Sequence, residues 1–170
     1  LQEGTDAAVS AAIRLVKEAG IDLLKLDGAA DYPETVTALN RAGIPVWAQF
    51  GLTPQTALAS GIPYENQDGK TDATSGMQDR LIAEAKALEA AGAVLLDFTN
   101  SGPVIGPKVV AAVDIPVIGG FGGGPWLDGR VRLAQAAVGY NVAALDKQPS
   151  GYANVAQVIH DALSECADDV

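Results

Sequence analysis

Three phrases in the chain share one layout: EAGIDLLKLDG at 18–28, RAGIPVWAQFG at 41–51 and AAGAVLLDFTN at 90–100. In each, a helix-forming segment ends at a glycine, an apolar run follows, and polar residues close it. Glycine stops a helix because it takes the left-handed conformation that other residues resist. A near-continuous apolar run suits a strand buried on both faces, the condition of a parallel sheet covered by helices. The repetition therefore predicts an α/β protein made of parallel (β/α) units, and a TIM-type barrel accounts for it better than a sandwich or a bundle.

Local signals set the expected boundaries. Val9, Ala12, Ile13 and Val16 mark one face of a helix over 6–19, which Thr5 or Asp6 can cap and Gly20 can end. A strand over 21–28 follows. A second helix over 33–42 has Pro33 in its first turn and Gly43 at its end, and leads to a strand over 44–50. The same reading gives a helix over 77–91, a strand over 93–99, a helix over 104–112 and a strand over 115–121. Residues 131–140 fit either a short strand or the start of a helix. A last helix over 153–165 places Val155, Val158, Ile159 and Leu163 on its apolar side.

Polar residues gather at one place in each unit. Side chains two apart on a strand share a face, so Lys25 and Asp27 project together while Leu24 and Leu26 pack the other side. Gln49, and Asp97 with Thr99, also fall at the C-terminal ends of their strands, and in a parallel barrel those ends form one face. A cation and a carboxylate on a buried type of strand are costly unless paired or put to use. A structural ion pair and a functional site both satisfy that condition.

Two loops break the pattern. Residues 51–70 contain Pro54, Pro63 and Gly69 and read as a lid over the strand ends or as a solvated connection. Residues 119–129, GGFGGGPWLDG, allow close backbone approach to a ligand such as phosphate. The strand, turn and helix context of a dinucleotide motif is missing there.

Composition narrows the partners. With 48% hydrophobic residues in 170, the chain can bury the core of one domain. A formal charge of -10 argues against nucleic acid and anionic membrane as partners. No apolar run approaches the roughly 18 to 20 residues of a membrane span, and no signal peptide opens the sequence, so a cytoplasmic location is expected. The single cysteine, Cys166, can form no internal disulfide, and the single histidine, His160, excludes a histidine dyad or a two-histidine metal site within the chain. Both fall in the last helix, where a surface or partly packed histidine is the expected reading.

The runs KLDG, AGIPVWAQFGLTPQ, EAAGAVLLDFT and DIPVIGGFGGGPWLDGR, in that order, resemble the ketopantoate hydroxymethyltransferase family of the phosphoenolpyruvate mutase and isocitrate lyase superfamily. GLTPQ, at 51–55, is the most specific match, and SGYANVAQVIHDALSECADDV looks like the family's last helix. The resemblance implies a (β/α)8 barrel that uses Mg2+ to bind a 2-oxo acid. It also implies transfer of a hydroxymethyl group from methylenetetrahydrofolate to 3-methyl-2-oxobutanoate, a step of pantothenate synthesis. By position, Lys25 would hold the substrate, Gln49 would hydrogen-bond at the substrate site, Asp27 would support the metal, and Asp97 would abstract the C3 proton. A metal chelated by a 2-oxo acid stabilises the enolate, and a carboxylate in a partly apolar setting can act as the base.

The departures from the family are specific. Asp27 and Asp97 stand where it has glutamate, one methylene longer, and Gln49 stands where it has histidine, so no proton relay passes there. The glycine loop is one residue longer. The resemblance further makes the chain the C-terminal part, about strands 4 to 8, of one barrel domain over 1–170. The three strands expected before it, with two aspartates that bind magnesium, are not in this sequence. A homo-oligomer is expected on the same ground. Other readings remain open: a related carbon-carbon lyase, a flavin- or phosphate-binding barrel using the glycine loop, or a degenerate barrel without catalysis.

Overall fold

Five parallel strands lie side by side in the order in which they occur in the chain: β1 (Leu24–Leu26), β2 (Val46–Gly51), β3 (Leu95–Thr99), β4 (Val117–Gly119) and β5 (Gly129–Arg130). The structure is a computed structural model that describes residues 1, 3–53, 61, 75–100, 102–120, 124–131, 133–140 and 152–169. Sequential order with parallel pairing is the arrangement expected of part of a TIM-type barrel. The lid reading of 51–70 falls outside the described residues apart from 51–53 and 61, as do residues 121–123 of the glycine loop.

The helices form where the sequence places them, with shifted ends. Helix α1 covers Thr5–Arg14 and continues as a π-helical turn, Leu15–Ala19, which closes on Gly20 at φ 65°. Its N-cap is Gly4 and not Thr5 or Asp6. Thr5 Oγ1 instead shares a 2.9 Å hydrogen bond with Thr35 Oγ1. A 3-10 turn, Ala29–Asp31, precedes α2, Pro33–Arg41, with Pro33 in the first turn as expected. Then follow α3, Ser75–Ala90, and the short α4, Gly106–Val110.

The core lies between the sheet and these helices. Val46, Ala48 and Phe50 of β2, Leu96 and Phe98 of β3 and Val117 of β4 meet Val36 and Leu39 of α2, Leu81, Ala85 and Leu88 of α3 and Val109 of α4, all nearly or fully buried. Phe50 and Phe98 stack with ring centroids 4.6 Å apart. Leu24 and Leu26 pack against the same cluster, as the alternation of β1 requires. The opposite face of the sheet carries Lys25, Trp47, Gln49, Leu95, Asp97 and Ile118, aligned by register.

The strands are shorter than the apolar runs that contain them, because the first residues of each run connect the helix to the sheet. β5 begins at the last residue of the run 119–129, where a loop is expected. Only two residues long and beginning with glycine, it has no propensity signal, and its backbone pairing with β4 defines it. Asp128 fixes the approach: its N–H donates to Val117 O at 2.9 Å, and its Oδ2 accepts from Val117 N at 2.8 Å.

Leu1–Val131 forms one compact unit and Arg132–Val170 a second. In the second, α5 (Ala134–Ala137) answers the open reading of 131–140 as helix, and α6 (Val155–Asp168) is the expected last helix. Asn154 caps α6 by accepting from Gln157 N at 3.1 Å. Gly139, at φ 65°, admits the backbone of the segment before α6, where a Cβ would stand 2.3 Å from Ala153 O. Val158, Ile159 and Leu163, expected on the apolar side of this helix, are exposed. His160 and Cys166 are exposed as well.

Candidate functional site

Each polar residue of the site is set by strand alternation and register. Lys25 pairs with Trp47 across β1 and β2, Gln49 pairs with Asp97 across β2 and β3, and Asp97 pairs with Ile118 across β3 and β4. Asp27 lies just beyond β1, so its side chain stands at the strand's C-terminal end.

Lys25 is the centre of the group. Its Nζ forms an ion pair with Asp27 and lies 3.3 Å from Asp97 Oδ2. The two carboxylates differ in setting: the Asp27 side chain is 59% exposed and that of Asp97 only 14%. Leu96 and Phe98 on either side of Asp97 are fully buried, so the strand cannot turn it outward without exposing the core. Burial is the largest influence on Asp97 and raises its carboxyl above the ordinary aspartate range. The Lys25 ammonium, by charge and by hydrogen bond, opposes that rise, and the Asp27 charge adds to it. A carboxylate so placed is a better proton acceptor than a solvated one.

Gln49 works within the fold as well as facing the site. Its Oε1 accepts from Gly28 N at 3.3 Å and so ties the turn after β1 to β2. Gly28, at φ 68°, takes a left-handed conformation that brings its N–H to this point. Thus Lys25, Asp27, Gln49 and Asp97 come together as the alternation predicts, at one end of a parallel sheet.

Three features were not read from the sequence. Trp47 places its ring beneath Lys25, with Nζ 5.4 Å from the centroid. Asn100, the one non-glycine residue at positive φ among those described, donates from Nδ2 to Leu52 O at 2.7 Å, while Leu52 N donates to Thr99 O at 3.2 Å. These two bonds fasten the start of GLTPQ to the strand that bears Asp97. Gly51 sits at φ 101°, where a Cβ would meet Thr99 O at 2.5 Å, so the approach requires glycine. Asn100 had a sequence signal, since asparagine tolerates the left-handed region. Trp47 had only its same-face spacing from Gln49.

Among the described residues, Asp27 and Asp97 are the carboxylates at this site. Among the described residues no three metal-ligating side chains stand together. Magnesium is commonly held by one or two carboxylates, with substrate and water completing its shell, and Asp27 would supply one such donor while Asp97 stays with Lys25. The exposed Asp27 is the better placed to turn from Lys25 toward a cation. Asp128 of the DGR segment holds the β4 backbone, and residues 121–123 of the glycine loop lie outside those described.

Comparison with known proteins gives a consistent result. The family model described as ketopantoate hydroxymethyltransferase matches residues 1–170. A 3-methyl-2-oxobutanoate hydroxymethyltransferase of Halalkalibacterium halodurans is 36% identical over 92% of this chain and 54% of its own length. Proteins of that name from Pyrobaculum islandicum and Alkalilimnicola ehrlichii are 36% and 38% identical, over 99% and 89% of this chain and 62% and 53% of their own lengths. The chain thus spans somewhat more than half the length of the curated relatives it matches.

Proposed function

The chain belongs to the ketopantoate hydroxymethyltransferase family, and from that premise we propose that it takes part in hydroxymethyl transfer to a 2-oxo acid, with 3-methyl-2-oxobutanoate as acceptor. The observation that carries the reading is Asp97, largely enclosed, raised in pKa and 3.3 Å from a lysine. A base must meet a C–H proton in its ionised form and yet hold that proton well, and burial against an adjacent cation balances the two demands.

In this reading Lys25 binds the carboxylate of the oxo acid, and Gln49 offers its amide N–H groups to the substrate while its Oε1 keeps the Gly28 turn in place. Asp97 takes the proton from C3, and the freed electron pair forms the new carbon-carbon bond to the methylene carbon of methylenetetrahydrofolate; both C–N bonds to that carbon break, tetrahydrofolate leaves with protons on its two nitrogens, and water supplies the hydroxyl oxygen. Asp27 would hold magnesium in part, and the ion would supply Lewis-acid polarisation of the 2-oxo group that eases loss of that proton. The same reading treats the five strands as the fourth to eighth of a (β/α)8 barrel, and the protein as a cytoplasmic homo-oligomer.

The test is exchange of the C3 proton of 3-methyl-2-oxobutanoate with deuterated solvent, followed by NMR with magnesium present. Asp97→Asn should lower the enzyme-dependent rate by about 100-fold or more. Exchange at the parental rate in Asp97→Asn would remove Asp97 from the role of base.

A further inference from the structure

Trp47 faces the site from β2, in register with Lys25. Its ring lies 5.4 Å from Lys25 Nζ, inside the roughly 6 Å over which an aromatic face attracts a cation. Its Nε1 is buried and finds no hydrogen-bond partner among the described residues. The indole is therefore not anchored through its polar atom, and what it offers the site is the face of the ring.

Among the described residues, three groups attract the Lys25 ammonium: Asp27, Asp97 and Trp47. The proposed reaction changes two of them. Asp97 loses its charge when it accepts the C3 proton, and the Asp27 carboxylate would be shared with the magnesium it helps to hold. The ring neither titrates nor binds the metal, so its attraction for the ammonium persists throughout.

We infer that Trp47 is a positioning residue, whose ring keeps the Lys25 ammonium seated for the substrate carboxylate while the two aspartates are engaged elsewhere. The inference rests on the proposed function for what happens at the aspartates, whereas the contact between ring and cation does not depend on it.

Two measurements separate these parts. The first is a double-mutant cycle by urea unfolding, without ligand, using Lys25→Met and Trp47→Met singly and together. The unfolding constant of the double variant should depart from the product of the single effects by about two- to fivefold. Purely multiplicative effects would overturn the contact. Trp47→Phe keeps a ring and should keep the coupling. If Trp47→Met does not fold, fluorinated tryptophan at position 47 in a Trp126→Phe background weakens the ring face at nearly constant shape, and the coupling must fall with each added fluorine.

The second measurement is calorimetric affinity for 3-methyl-2-oxobutanoate with magnesium. Trp47→Met should weaken it by about two- to fivefold, Trp47→Phe should leave it nearly unchanged, and neither should matter once Lys25 is methionine. Coupling in the cycle with undiminished affinity in Trp47→Met would overturn the positioning role. Coupling in a chain that binds no oxo acid would leave Trp47 as the seat of Lys25 and remove the proposed function.

Discussion

Lys25 bears on the ionisation of Asp97 across 3.3 Å, and the balance differs from that of a surface pair because Asp97 is largely enclosed. Desolvation lifts the carboxyl and Lys25 restrains it. Removing the ammonium leaves desolvation and the Asp27 charge unopposed, so Lys25→Met should raise the Asp97 pKa further. The acid limb of the C3 exchange profile should then move to higher pH, and a limb that stays in place or moves down would separate Asp97 from that titration. The sequence made Lys25, Asp27, Gln49 and Asp97 legible, because alternation along a strand decides which side chains share a face. Trp47 was not legible as Lys25's neighbour. That relation depends on the register between β1 and β2, which are separated in sequence by the 3-10 turn and α2.

Elements are joined by side chains that satisfy the backbone of a distant segment. Glu89, near the end of α3, accepts through Oε1 from Asp114 N at 2.7 Å and from Ile115 N at 3.1 Å, and so fixes the entry to β4. Without the carboxylate two N–H groups turn to water or stay unpaired, and Glu89→Ala should cost about 1–3 kcal/mol in urea unfolding. Glu89→Gln, which keeps an acceptor oxygen, should recover much of the loss. A fully stable Glu89→Ala would mean that these bonds are replaced locally. Helix and strand existence was legible, since period and glycine placement are local properties. Helix and strand ends were not, because Gly4 rather than Thr5 caps α1 and the first residues of each apolar run remain outside the sheet. β5 escaped for the same reason, its identity residing in its partner β4.

For the molecule as a whole, charge and burial act in the same direction. Glu84 resembles Asp97 in that burial raises its carboxyl, with Arg80 opposing the rise and Asp31 adding to it. A carboxyl whose folded pKa is raised contributes stability that is fully present below its unfolded pKa, near 4, and is lost as pH rises through the folded value. Self-repulsion from a formal charge of -10 also grows as carboxyls ionise. The urea midpoint should therefore fall as pH rises from the ordinary carboxylate range toward neutrality, and added salt should narrow the difference by screening the repulsive part. A midpoint that climbs over that interval would show paired carboxylates of the opposite kind to be dominant. The sequence by itself determined the α/β class, the succession of helix, glycine and strand, and the side chains that share the inner face, because these follow from periodicity and backbone freedom within a few residues. Only the tertiary structure decided that Lys25 stands between two unlike carboxylates over a tryptophan ring and that Gly129–Arg130 closes the row of strands. It also decided that Asn100 fastens Leu52 to the end of the strand of Asp97. Each of these is a contact between segments far apart in the chain, fixed by strand register and by the burial that the assembled sheet and helices create.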